Sequence, residues 1–108
     1  MTYRTLIVAR MNPRDEQAVA NVFGESDKGE LPHLVGVQRR DLFSFQGLYF
    51  HLIEAVDDVR STLPDVRGHP LFVDVNKKLE SLVAAYDPET WRSPKDAMAH
   101  HFYEWTAD

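Results

Sequence analysis

The sequence lacks cysteine, has only five glycines in 108 residues and contains no long hydrophobic run. The absence of cysteine excludes disulfide bonds, thiolate zinc sites and thiol nucleophiles, so packing alone must hold the fold together. The glycines are dispersed, and they form neither a dinucleotide-binding fingerprint nor a phosphate-binding loop. Without a segment of about 20 apolar residues or a signal-peptide core, the sequence predicts a cytoplasmic protein with no membrane partner.

Positive charge is also scarce. The chain has 12 lysines and arginines against 17 acidic residues, a formal net charge of −5, and the basic residues are scattered. This argues against a nucleic-acid partner, because such surfaces need a basic patch that follows the phosphates. Hydrophobic residues make up 44% of the chain, enough for a core, and the length predicts one domain over residues 1–108. Because that core is modest, an oligomer that covers an exposed sheet face is expected.

The hydrophobic pattern predicts the element order β, α, β, β, α, β. Asn12 and Pro13 supply the cap and the first residue of the first helix, and Pro64 is expected to end a short second one. Residues 26–32 are expected to form a loop, and residues 89–99 an extended crossing of the surface with Trp91 as an anchor. The expected strands are residues 3–11, 34–45, 48–55 and 100–106, and the expected helices are residues 13–24, 57–63 and 70–86.

A hairpin through Gln46 and Gly47 fixes which side chains share a face of the sheet. With a two-residue turn, Leu42 lies opposite His51, Arg40 opposite Ile53 and Arg39 opposite Glu54, so Arg40 and His51 are diagonal neighbours on one face. The predicted faces are Gln38, Arg40, Leu42, Tyr49, His51 and Ile53 on one side, and Val37, Arg39, Phe43, Phe50, Leu52 and Glu54 on the other.

The element order predicts an α+β fold of the ferredoxin-like kind, a four-stranded antiparallel sheet with helices on one face. Each βαβ crossover is expected to place its two strands side by side and parallel. The helices then cover one face of the sheet, and a homodimer packed through the other face would cover its apolar residues.

Most kinds of catalytic site find no support in the sequence. The five histidines include no helical i, i+4 pair with a carboxylate base, and adjacent strand residues point to opposite faces, so no metal site is predicted. No serine lies in a nucleophile elbow. His69 with Pro70 is most simply a helix start.

One polar set remains, formed by Asp27, Arg40 and His51. An imidazole with a pKa of about 6.5 can exchange a proton near neutrality, and an arginine beside it would stabilise an enolate or alkoxide. The set therefore fits the deprotonation of a carbon acid. The alternative is structural: His51 as a hydrogen-bonded core histidine, Arg40 as a surface residue and Asp27 as a loop cap.

Several stretches in combination resemble the tetracenomycin-type aromatic polyketide cyclases, and the resemblance runs nearly end to end. They are residues 3–11, 30–33, 39–43, 48–52, 69–72, 91–99 and 102–103. The resemblance implies a dimeric α+β barrel of ferredoxin-like protomers and a cofactor-independent cyclase acting on a poly-β-ketone or partly cyclised intermediate. It also implies a polyketide as the small-molecule partner and an association with a polyketide synthase.

Carried across by position, the polar residues proposed for the family fall on Asp27, Arg40 and His51. Close relatives have a histidine where this chain has Ser26, so His51 is left as the best acid/base candidate. Ser26, Tyr49, Ile53 and His69 are candidate substrate contacts.

The reaction expected from this resemblance is an intramolecular aldol condensation followed by loss of water. A shaped apolar pocket that folds the chain into one reactive conformer would matter more than any single proton transfer. Two alternatives remain open: a cofactor-free monooxygenase on the same fold, and a non-catalytic module that binds a polyketide.

Overall fold

The computed structural model describes residues 2–92 and 94–107, so that Met1, Asp108 and Ser93 of the resembling tail lie outside the described residues. The strands are β1 (Tyr3–Met11), β2 (Val37–Phe45), β3 (Leu48–Ala55) and β4 (Val83–Ala85). The helices are α1 (Glu16–Ser26), α2 (Leu31–Val35), α3 (Val59–Val66) and α4 (Pro70–Leu79). Two 3₁₀ turns, Pro13–Asp15 and Pro94–Ala97, complete the regular structure.

The four strands form one antiparallel sheet in the order β2-β3-β1-β4. This is the ferredoxin-like arrangement, so the predicted fold class is confirmed. The expectation that each crossover leaves its strands side by side is wrong, however, because β3 lies between β1 and β2, and β1 lies between β3 and β4. Each crossover leaves a gap that an antiparallel strand fills.

The predicted hairpin register is confirmed residue by residue from Arg39 to Phe45. Gln46 and Gly47 have φ values of 48° and 81°, and a two-residue turn with both central residues in the left-handed region matches the twist of the strands it joins. Arg40 therefore lies opposite Ile53, and Leu42 lies opposite His51.

A β-bulge at the start of β2 changes the predicted faces. The register shifts between Val37 and Arg39, so Val37 pairs with the fully buried Ala55. The extra residue, Gln38, is exposed, whereas Val37 packs against the core cluster that contains Ile53. The predicted faces of Val37 and Gln38 were therefore wrong, because a bulge inverts the alternation of side chains along a strand.

The first helix was predicted to begin at Pro13, but residues 13–15 form a 3₁₀ turn and α1 begins at Glu16. The Asn12 side chain accepts a hydrogen bond from the Arg14 N–H, and α1 continues to Ser26, past the expected end at Gly24. The predicted loop and the start of the second predicted strand instead contain α2. Pro32 in its first turn and Gly36, a C-cap at φ 80°, start and stop this short helix.

The helix that contains Pro64 was predicted to end before the proline, but it continues to Val66. Proline inside a helix removes one backbone hydrogen bond and costs about 3 kcal/mol. Val59 and Leu63, which lie one helical turn apart, are both buried in the core. Their burial stabilises α3 beyond the proline. The sequence alone does not show that this stabilisation offsets the lost hydrogen bond.

The C-terminal third of the chain departs most from the prediction. The helix expected over residues 70–86 ends at Leu79, and Val83–Ala85 forms β4 against the end of β1. The strand expected over residues 100–106 is wrong: residues 100–107, as far as the structure describes the chain, form neither helix nor strand. Since Val83–Ala85 pairs with the edge of β1, the fourth strand comes earlier than predicted.

The core lies between the sheet and the helices. Two clusters of buried side chains fill it, one around Ile53, Val59 and Leu63 and the other around Val19, Phe23 and Tyr49. Phe43 and Phe45, on the other face of the sheet, are 54% and 61% exposed. No helix among the described residues is both long and apolar enough to cross a membrane.

Candidate active site

A cavity of about 420 Å³ lies between the helix-facing side of the sheet and the helices. Apolar side chains from the sheet and from all four helices form most of its wall. The polar side chains in the lining are Ser26, Arg40, Tyr49, His51, Asn76 and Glu80. Pockets for small molecules commonly have this composition, an apolar wall with a few polar groups that orient the ligand.

Asp27 and Arg40 form a bidentate ion pair at one side of the cavity. Asp27 follows the last residue of α1, and Arg40 lies in β2. Arg40 Nε and Nη2 donate to the two carboxylate oxygens at 3.0 and 2.8 Å, and the guanidinium carbon lies 4.7 Å from the centre of the Phe23 ring. The Arg40 side chain is 13% exposed and that of Asp27 37%. Two parallel charge-assisted bonds and an aromatic ring fix the guanidinium in one orientation.

The same guanidinium reaches His51, as the hairpin register predicts. Arg40 Nη1 lies 2.8 Å from His51 Nε2, and the Tyr49 hydroxyl lies 3.1 Å from His51 Nδ1. A guanidinium has donors only, so Nε2 must accept and carries no proton. The neutral imidazole therefore bears its proton on Nδ1 and donates it to the Tyr49 oxygen. The geometry thus selects one tautomer of His51.

Burial and the neighbouring charge both disfavour a protonated His51. The residue is 5% exposed, and the Phe23 ring packs edge-on against the imidazole at 5.0 Å between ring centres. Burial first, and the positive charge of Arg40 second, lower the pKa of His51 to about 3. The expectation that this imidazole exchanges a proton near neutrality with an ordinary pKa is therefore wrong for the site as it stands.

Tyr49 stays a neutral phenol for the same physical reason. It lies two residues before His51 on β3 and is almost completely buried. Burial raises the pKa of its hydroxyl, and the nearby charge of Arg40 opposes this only in part. The Tyr49 hydroxyl therefore retains its proton at neutral pH.

The structure brings most of the predicted site residues together. Ser26, Tyr49 and Ile53 line the cavity with Arg40 and His51. Asp27 is not part of the cavity wall, but its carboxylate binds the Arg40 guanidinium. His69 is the exception. It caps α4, where its Nδ1 accepts a hydrogen bond from the Leu71 N–H, and it is not part of the cavity wall.

Sequence reading missed two polar residues of the wall, Asn76 and Glu80 on α4 and just after it. Both are exposed, and they lie four residues apart beside the apolar stripe of Phe72, Val75 and Leu79. Spacing of i and i+4 places side chains on one helix face, and this was the available signal. The helix was predicted to extend to residue 86, so the sequence did not show that α4 ends beside these two residues.

Comparison with known proteins shows the family of the chain. A family model described as polyketide synthesis cyclase matches residues 3–106. The chain belongs to this family. Membership supports an enzyme with a polyketide as its small-molecule substrate.

Similar proteins cover nearly the whole chain. The tetracenomycin F2 cyclase of Streptomyces glaucescens is 48% identical over 99% of this chain and 97% of its own length. A protein named polyketide synthase CurG, from Streptomyces cyaneus, is 51% identical over 98% of this chain and 99% of its own. The solved structure of tetracenomycin F2 cyclase, a type-II polyketide cyclase, has a TM-score of 0.91, with 98% of this chain and 99% of that chain covered at 47% identity.

A more distant structural likeness concerns the fold alone. A protein of Chloroflexus aurantiacus, named as an antibiotic biosynthesis monooxygenase, has a TM-score of 0.57 at 13% identity over 81% of this chain and 86% of that chain. One sheet architecture thus occurs with differently named functions, so the reaction must be argued from the site.

Proposed function

We propose that the chain is a cyclase that closes a poly-β-ketone, or a partly cyclised intermediate, by intramolecular aldol condensation and loss of water, without a cofactor. The observation that carries the proposal is Arg40, fixed by Asp27 and exposed to an apolar cavity. Relatives named tetracenomycin F2 cyclase and polyketide synthase CurG support a polyketide substrate.

The aldol step transfers one proton, and the dehydration removes a second proton together with the new hydroxyl as water. A base removes a proton from a methylene group between two carbonyls, and the electron pair forms a C–C bond to another carbonyl carbon of the same chain. The oxygen of that carbonyl takes the proton. Loss of the second methylene proton with the new hydroxyl releases water and leaves a C=C bond, and enolisation of the remaining carbonyls completes the aromatic ring.

Arg40 is placed to stabilise the enolate. Three of its five N–H groups bind Asp27 and His51, which leaves two for substrate oxygens. The surrounding wall is mostly apolar, and a fixed positive charge in such surroundings stabilises a developing anion more than it would in water. This makes the methylene next to the bound carbonyl more acidic.

His51 is the proton acceptor in this scheme. Its low pKa keeps the imidazole in the neutral, accepting form. When a substrate oxygen takes over the Arg40 N–H, Nε2 becomes free to accept the methylene proton. The enolate formed in that step is an adjacent negative charge, which favours the imidazolium and offsets the effect of Arg40. The imidazolium then returns the proton to the alkoxide.

The wall of the cavity supplies the other part of catalysis. A poly-β-ketone has several carbonyls that could react, and a mostly apolar cavity of about 420 Å³ would favour folded conformers of it. Holding the reacting carbons close in one conformer removes much of the entropic barrier to ring closure.

The experiment is reconstitution with a minimal aromatic polyketide synthase under air and under nitrogen, with products followed by mass and ultraviolet spectrum. We expect catalytic amounts of the protein to divert shunt products into one more fully cyclised, dehydrated aromatic, with or without oxygen. Arg40→Gln should lower the rate at least about 100-fold, as loss of one oxyanion donor does in other enzymes. Arg60→Gln, an exposed arginine on α3, is the matched control.

Three results would contradict the proposal. A product shift that needs oxygen would indicate a monooxygenase. A shift only at stoichiometric amounts of protein would indicate a binding module. Full activity of Arg40→Gln would remove the arginine from the mechanism and leave the cavity as a template.

The assembly of the protein is a separate proposal. The apolar residues on the open sheet face, Phe43 and Phe45 among them, would be covered by a second copy of the chain in a homodimer. Light scattering on the purified protein tests this, and a monomer would contradict it. Association with a polyketide synthase and cytoplasmic localisation stay predictions.

A further inference from the structure

The hydrogen bonds of the polar cluster all point in one direction. Arg40 donates to His51 Nε2, and His51 must then donate from Nδ1 to the Tyr49 oxygen. The Tyr49 oxygen is an acceptor in this bond, so its own proton is not used there. Within residues 2–92 and 94–107, no protein atom accepts a hydrogen bond from that hydroxyl.

Tyr49 is buried, at 4% exposure, and it lines the same cavity as His51. Both side chains point from β3 to the helix side of the sheet, with the hydroxyl next to the imidazole. A buried hydroxyl donor that makes no bond is costly, by about 1 to 3 kcal/mol. A hydroxyl kept at the cavity wall with an uncommitted proton is therefore suited to a ligand oxygen.

The position of the hydroxyl at the end of the chain of hydrogen bonds strengthens it as a donor. Each donated bond polarises the next group, and the series begins at the positive charge of Arg40. Burial also raises the pKa of Tyr49, so the group carries a proton to donate at any working pH.

We propose that Tyr49 is a catalytic residue whose hydroxyl donates a hydrogen bond to the carbonyl oxygen that becomes the alkoxide when the new C–C bond forms. This rests on the proposed function and deepens it. Arg40 and Tyr49 contact opposite nitrogens of one imidazole, so the enolate oxygen binds on one side of His51 and the electrophilic carbonyl on the other. The proton acceptor lies between them. In the last step the alkoxide takes the Tyr49 proton while the Tyr49 oxygen takes the Nδ1 proton of the imidazolium, so Tyr49 is protonated again and His51 is neutral.

The first test removes or tunes the hydroxyl. Tyr49→Phe keeps the ring and should lower kcat about 100-fold or more, the loss found for a missing oxyanion donor, with a small change in KM. Replacing Tyr49 by 3-fluorotyrosine makes the phenol a stronger donor and a weaker acceptor, so kcat should equal or exceed that of the wild type. The matched control is Tyr86→Phe, a half-exposed tyrosine outside the cavity wall.

These two variants separate a catalytic role from a structural one. If Tyr49 only accepts the bond from His51, the weaker acceptor 3-fluorotyrosine should lower kcat in the direction of Tyr49→Phe. That result, or an unchanged kcat in Tyr49→Phe, would overturn the inference. Neither would affect the proposed function, which depends on turnover by the wild type.

A binding measurement does not depend on turnover. The probe is 2-acetylcyclohexane-1,3-dione, a stable triketone that ionises to an enolate, and its Kd is measured by tryptophan fluorescence because Trp91 lines the cavity. Tyr49→Phe should raise the Kd at least about tenfold, since a hydrogen bond to a charged group is lost. An equal Kd in the two proteins would overturn the inference even if the wild type shows no turnover and the proposed function itself fails.

Discussion

The low pKa of His51 predicts that the protein loses stability on acidification in a way that one substitution removes. The unfolded chain binds a proton at His51 below a pKa of about 6.5, whereas the folded protein does so only below about 3. Between these values the unfolded state holds more protons, so the free energy of unfolding rises with pH across this window. The contribution of His51 is therefore fully present above pH 6.5 and is lost as the pH falls towards 3.

The magnitude follows from the two pKa values. Linkage gives a slope of at most about 1.4 kcal/mol per pH unit, and a loss of about 3 kcal/mol in the free energy of unfolding between pH 7 and pH 4. This is a large part of the stability of a small domain, which is commonly about 5 to 15 kcal/mol. His51 is 5% exposed, so solvent screening takes little from this figure.

The assay is urea unfolding at a fixed protomer concentration, at half-unit steps from pH 7 to pH 4, for the wild type and His51→Gln. Glutamine does not titrate, and its side-chain oxygen can accept the Arg40 hydrogen bond. Subtracting the variant from the wild type cancels the carboxylates and leaves His51. His33→Gln, an exposed histidine on α2, controls for the substitution itself.

Parallel stability curves for the wild type and His51→Gln would refute the reasoning. A second measurement needs no substitution. In ¹⁵N NMR spectra at pH 7 and pH 5, the His51 ring should show a protonated Nδ1 and an unprotonated Nε2 at both values. A charged ring at pH 5, or a proton on Nε2, would contradict the assigned tautomer.

Two further substitutions test the remaining parts of the site. Asp27→Asn removes the charge that holds Arg40 and should lower kcat about tenfold while the protein stays folded, because the Asp27 side chain is partly exposed; an unchanged kcat in the cyclisation assay would show that the guanidinium needs no clamp. His69→Ala removes the cap of α4 and should lower the free energy of unfolding by about 1 kcal/mol with no change in kcat; a loss of activity at full stability would restore His69 as a substrate contact.

The sequence determined the hairpin and, with it, the centre of the site. Gln46 and Gly47 specify a two-residue turn, and turn length fixes register, so the order of residues alone places Arg40 and His51 on one face. Turn chemistry and alternation depend on residues near each other in the chain, which is why sequence alone was sufficient. The same holds for β1 and for the 3₁₀ turn that Asn12 caps ahead of α1.

Only the tertiary structure decided which segment becomes the fourth strand and what the polar residues can do. Val83–Ala85 is chosen as β4 by an edge of β1 more than 70 positions earlier, and no local pattern reports that partner. The pKa of His51 and the direction of the Arg40–His51–Tyr49 bonds likewise depend on burial and on groups brought together from separate elements. Sequence therefore identified the catalytic candidates, and their charge and tautomer came from the packing around them, because desolvation and long-range pairing exist only in the assembled fold.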